Sequence, residues 1–122
     1  MAINNMKNNL IGKIMKREIF IKTSFSALHN WDECCFDEVD YLKNYHRHTF
    51  YVTAYWAVHH NNRDLEFIMT KNKVDGWIRE NWEYKKLKNM SCEMMAEKLI
   101  KVFGCTAVTV NEDGENGATI SL

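Results

Sequence analysis

His46 and His48 are the residues whose type and spacing point most directly to chemistry. They open the stretch Tyr45-His46-Arg47-His48-Thr49-Phe50-Tyr51-Val52-Thr53-Ala54-Tyr55-Trp56, in which the residues from Phe50 onward are aromatic, β-branched or small. Such residues suit a pleated, half-buried surface, so the stretch reads as a β-strand. Side chains alternate across a strand with period two, which sends both imidazoles to one face. Imidazole is the commonest protein ligand for metals, and two on one face can grip one ion. Zinc needs at least one ligand more, and a catalytic zinc keeps a further position open for water or substrate. His29, at the end of the strand-like run Ser24-Phe25-Ser26-Ala27-Leu28-His29, is the obvious third. A His-x-His pair on a strand also arises without any metal, so the weight falls on what surrounds it.

The chain of 122 residues fits one domain with a single core. Sixteen basic and sixteen acidic residues leave no net charge, which gives no electrostatic reason to expect nucleic acid as a partner. No apolar run approaches the roughly 18 residues of a membrane span. Residues 1–16 are polar and Asn-rich without an apolar core, so no secretory signal is expected and a cytoplasmic location is. The same residues are expected to fray or to add to a sheet edge. Four cysteines without a C-x-x-C pair read as free thiols in a reducing compartment. Adjacent Cys34 and Cys35 are either ordinary loop residues or, near a metal, a source of a nucleophilic thiolate.

The elements that must position the histidines follow from periodicity. Residues 17–28 read as a first strand, with Ile19, Ile21, Thr23 and Phe25 on one face and Phe20 on the other. Residues 30–44 form a long acidic loop that can overhang a site, since loops of this length in compact domains are usually functional. A second strand spans 47–58, a turn carries exposed His59 and His60, and residues 64–69 read as a short return strand. The period then changes to that of helices over 70–82, with Gly76 a weak point, and again after Ser91, a good N-cap. Gly104 ends the second helix. Residues 106–111 and 118–122 read as strands around a turn at 112–117. The expected class is α+β: an antiparallel sheet built from two strand pairs, with both helices on one face.

The ordered set of motifs resembles the 6-pyruvoyl-tetrahydropterin synthase / 6-carboxy-tetrahydropterin synthase family from about Phe20 to the C-terminus. Phe25-Ser26-Ala27-Leu28-His29 is similar to its F-x-A-x-H, and His46-Arg47-His48-Thr49-Phe50 to its H-G-H-x-Y/F. Leu65-Glu66-Phe67 resembles V-x-D-F, Ser91-Cys92-Glu93-Met94-Met95-Ala96-Glu97 resembles T-S/T-E-N-L-A-E, and Val108-Thr109-Val110-Asn111-Glu112 resembles V-x-V-x-E-T. The resemblance implies the tunnelling fold, oligomerisation into a barrel (a hexamer being favoured), and an active site at a subunit interface. It implies Zn2+ held by His29, His46 and His48, and a pterin ring anchored by Glu112. A carboxylate suits that anchor, because it accepts two parallel N–H bonds.

The departures bear on activity. The family's catalytic Cys falls here at Leu42 or Asp40, so Asp40, Glu38 or Cys35 would have to take its part. The family's Asp-His pair aligns with Glu83 and Tyr84, and a phenol exchanges protons poorly at neutral pH. His-Gly-His has become His-Arg-His. The resemblance thus implies a zinc-dependent lyase acting on 7,8-dihydroneopterin triphosphate or a related pterin, giving 6-carboxy- or 6-pyruvoyl-tetrahydropterin on the way to queuosine-type bases or pterins. The alternative is a non-catalytic member that binds zinc and a pterin or purine nucleotide. A barrel whose histidines are incidental is the third expectation.

Overall fold

In the computed structural model, which describes residues 14–122, alternating apolar side chains build two long strands that pair along their whole length. β1 (Glu18–His29) and β2 (His46–Ala57) run antiparallel, with Glu18 opposite Ala57 and His29 opposite His46. β3 (Ala107–Glu112) pairs with the inner half of β2, and β4 (Asn116–Ser121) pairs with β3, both antiparallel. The sheet order is β1-β2-β3-β4. Two helices, α1 (Phe67–Asn81) and α2 (Cys92–Phe103), lie between β2 and β3 in the chain. The class is therefore α+β, as expected.

One sheet face is apolar and the helices cover it. Ile21, Phe25 and Ala27 of β1, Phe50, Val52, Ala54 and Trp56 of β2, and Val108 and Val110 of β3 are buried with Val74 and Ile78 of α1 and Met95, Ala96 and Leu99 of α2. Each of the large side chains among them contributes about 1.5–3 kcal/mol by leaving water. Phe20, Tyr51 and the hydrogen-bonded hydroxyl pair Thr109–Thr119 lie on the uncovered face.

The start of α2 is as the sequence implies. Ser91 Oγ accepts from Met94 N at 3.1 Å, and Gly104 closes the helix at φ +66° with its N–H on Ile100 O. The start of α1 is not. The return strand expected over 64–69 does not exist, because Glu66 caps a helix by accepting from Met69 N at 2.7 Å. Phe67, Ile68 and Met69 form its exposed first turn rather than an alternating strand. The loop at 30–44 also holds more structure than expected, with a 3-10 helix over Asp37–Lys43 and a bond from Trp31 N to Leu42 O at 2.7 Å.

The connection between the helices has a positioning role that periodicity did not suggest. Residues 84–88 zip onto the free edge of β1 through Tyr84 N to Ser26 O, Leu28 N to Lys85 O, Leu87 N to Leu28 O and Asn30 N to Lys88 O, at 2.7–3.0 Å. The end of β1 that carries His29 is thereby held on both sides. Of the edge segment expected over 1–16, residues 1–13 lie outside the described ones. Among the described residues no helix is long and apolar enough to cross a membrane.

Candidate metal centre

The apolar stripe of the sheet runs on, in phase, into four polar side chains. His29 shares its face with Ile21, Phe25 and Ala27, His46 and His48 share theirs with Phe50 and Val52, and Glu112 shares its own with Val108 and Val110. Cross-strand register then brings them together: His29 faces His46, His48 faces Ala27, and Glu112 faces Phe50. The sequence placed Glu112 in a turn; it is the last residue of β3, which is what aims its carboxylate at the histidines. The four offer ligand atoms that all lie within 4.8 Å of one another. Donors around one tetrahedral zinc, bound at about 2.0–2.2 Å, lie about 3.3–3.6 Å from one another, so the four must draw closer together to share one ion.

Each histidine is already oriented through its other nitrogen. His29 Nδ1 donates to Met90 O at 2.9 Å, His46 Nδ1 donates to Asn44 O at 2.9 Å, and His48 Nδ1 donates to Asp113 Oδ2 at 2.6 Å. A carbonyl can only accept, so the proton of the neutral ring sits on Nδ1 and the lone pair on Nε2. Two of those lone pairs, on His29 and His48, converge on one oxygen. Glu112 Oε2 stands 3.1 Å from His29 Nε2 and 2.8 Å from His48 Nε2. Two nitrogen lone pairs around a carboxylate oxygen repel unless a proton or a metal ion lies among them. Outer hydrogen bonds that fix ring and tautomer are what metal-ligating histidines require.

Beside the cluster opens a cleft of about 530 Å3, within the range of small-molecule sites. His29, His46 and Glu112 form its polar end, Trp31, Leu42 and Met90 its apolar walls, and the start of α2, Ser91 to Met94, its far side. The long loop thus overhangs the site, as its length suggested. Cys92 also lines the cleft. Burial, with Glu112 and Glu93 adding negative charge, pushes its thiol up to about 12, so it stays protonated at neutral pH and offers no thiolate.

The side chains expected to do proton chemistry lie elsewhere. None of Cys35, Asp40 and Glu83 lines the cleft. Cys35 is exposed, Asp40 pairs with Lys43 at 2.8 Å on the surface, and Glu83 follows α1 half-buried. Leu42, at one of the two positions aligned with the family's cysteine, does line it. Arg47 points to the opposite face from its two histidine neighbours and is exposed. Cys34 is buried with its thiol toward the carbonyls of Phe36 and Val39, an ordinary loop role. His59 and His60 sit in the exposed turn, as expected. Asp113 was missed by sequence reasoning. The signal available was its place beside a carboxylate in an Asp-Gly turn, which by itself says only that the chain reverses there.

No family model matches the chain, and no curated protein matches it. Among solved structures it is similar to the crystal structure of uncharacterized protein WS1659 from Wolinella succinogenes, with a TM-score of 0.68 and 10% identity. That match covers 88% of this chain and 98% of the other. At this identity the likeness is one of fold.

Proposed function

We propose that this chain is a zinc-dependent pterin enzyme of the 6-pyruvoyl- or 6-carboxy-tetrahydropterin synthase type, with His29, His46 and His48 as the zinc ligands and the adjoining cleft as the substrate site. The observation that carries the proposal is the convergence of committed imidazoles: three Nδ1 atoms tied to acceptors, with Glu112 Oε2 against two of the Nε2 atoms they leave free. Zinc bound there would supply Lewis acidity that lowers the pKa of substrate hydroxyls. Trp31, Leu42 and Met90 exclude water from one side of a planar ligand. Glu112 accepts from the amino and ring N–H groups of the pterin. A tunnelling-fold subunit that assembles into a barrel, with a hexamer favoured, belongs to the same proposal; the uncovered sheet face supports it.

Two observations favour a second reading, a protein that holds zinc and a pterin or purine-like ligand without converting it. Leu42 lines the cleft at a position where the related enzymes carry cysteine, and Glu112 is close enough to the histidines to close the metal site as a fourth ligand. Structural zinc sites are closed in this way, whereas catalytic ones keep a position open.

The deciding experiment mixes zinc-loaded protein with 7,8-dihydroneopterin triphosphate and follows binding and products by mass spectrometry. The proposal expects a 6-carboxy- or 6-pyruvoyl-tetrahydropterin. Binding without conversion selects the second reading, and neither binding nor conversion removes the pterin from the account.

A further inference from the structure

Asp113 does two things at once. As the residue after β3 it adopts the left-handed conformation, φ +58°, followed by Gly114 at φ +77°, a pairing suited to Asp-Gly. Its backbone N–H donates to Thr49 O at 2.7 Å, which seats the turn against β2. Its carboxylate then divides between two donors: Oδ1 accepts from Thr49 N at 2.9 Å and Oδ2 accepts from His48 Nδ1 at 2.6 Å. The His48 ring is therefore clamped to the backbone of its own strand through one carboxylate, while its Nε2 faces Glu112. His29 and His46 are oriented by backbone carbonyls, which no substitution of the accepting residue removes. His48 alone is oriented by a side chain.

We propose that Asp113 is the positioning residue of the metal centre: it holds His48 in the Nδ1–H tautomer and aims Nε2 at the ion. This rests on the zinc reading above and concerns this chain's own outer partner rather than the ligand set. A carboxylate behind a ligating histidine fixes the ring and raises its basicity, and removing such a partner typically lowers metal affinity 10- to 100-fold. A role confined to the turn is the competing account, and two substitutions separate them. Asp113→Asn keeps a residue type that tolerates the left-handed conformation, but the two donors meet different oxygens of the carboxylate, and the amide replaces one of these by an NH2 that faces either Thr49 N or His48 Nδ1 donor to donor. Asp113→Gly keeps the turn and removes the side chain altogether.

Zinc affinity is measured by chelator competition, with the visible spectrum of the cobalt-substituted protein and the ring 15N shifts of metal-free protein as readouts of His48. Both variants are expected to lose affinity about 10- to 100-fold, with a changed cobalt spectrum, loss of the single Nδ1–H signature, and a melting temperature close to that of the parent. Affinity within twofold of the parent and an unchanged cobalt spectrum in both variants would overturn the proposal. So would an affinity loss matched in both by loss of the fold, which would assign Asp113 to the turn alone. A parent protein that binds no zinc fails the metal reading and this inference with it. Zinc binding by the parent with unaffected variants fails the inference only.

Discussion

Glu112 Oε2 stands 2.8 Å from His48 Nε2 and 3.1 Å from His29 Nε2, so its carboxylate is engaged before any ligand arrives. As a pterin anchor it must turn outward when the ion takes its place among the imidazoles; as a fourth ligand it stays. Glu112→Gln separates the two. The expected outcome is one zinc per chain still held by three histidines, with neopterin binding weakened by about 1.5–3 kcal/mol, the range for a hydrogen bond to a charged group. Fluorescence titration with neopterin and metal analysis read the two effects separately, and loss of the zinc instead would make Glu112 a ligand. The histidines were legible because His-x-His on a strand has only one geometry. Glu112 was singled out through the family resemblance as a pterin anchor, not as a neighbour of the histidines. That follows only once β3 is seen to extend one residue further, in phase with Val108 and Val110. The acceptors behind the rings, Met90 O, Asn44 O and Asp113, depend on where loops turn back, which no local pattern encodes.

At the scale of elements, β1 and α1 are joined by a polar contact inside an otherwise apolar layer. Asp75 of α1 is buried, accepts from Lys71 Nζ at 2.7 Å, and accepts from Thr23 Oγ1 of β1. Burial pushes its carboxyl up, but the bonds from Lys71 and Thr23 and the nearby positive charges outweigh that and leave it below its ordinary value. A depressed folded pKa means that the ionised group stabilises the fold above the ordinary value near 3.8 and that this stabilisation is lost as pH falls through the lower folded value. Asp75→Asn is expected to cost about 1–3 kcal/mol at neutral pH and to flatten the acid limb of the stability curve. Urea unfolding from neutral pH down to acid measures both, and an unchanged midpoint at neutral pH would contradict the assignment. The helix that was read correctly, α2, announces itself by Ser91, Gly104 and an apolar stripe between them. The one misjudged at its start, α1, opens with exposed Phe67, Ile68 and Met69, whose neighbours mimic strand alternation. The Glu66 cap that starts it is a weaker signal than Ser, Thr, Asp or Asn would be.

For the molecule as a whole, packing and site are one design. The same sheet face that buries Phe50, Val52 and Val110 under the helices carries His29, His46, His48 and Glu112 where that cover ends and the cleft begins. The α+β class was therefore legible from alternation, turn residues and caps; the strand order was not, because the return strand expected at 64–69 is the start of α1 and β2 pairs with β3 instead. The cleft was not, because it needs the loop at Trp31 and Leu42 to fold back against the start of α2 across a large gap in sequence. None of Cys35, Asp40 and Glu83, the side chains expected to move protons, lines that cleft; its titratable lining is His29, His46, Cys92, Glu93 and Glu112. Both readings share the ion, and the ion is the central claim. Its most direct test is calorimetric titration of zinc into metal-stripped protein in two buffers of different ionisation enthalpy, alongside His46→Ala. The account predicts one zinc per chain in both buffers, and loss of that binding in the variant. No zinc binding by the parent, or stoichiometric zinc retained by His46→Ala, would contradict it.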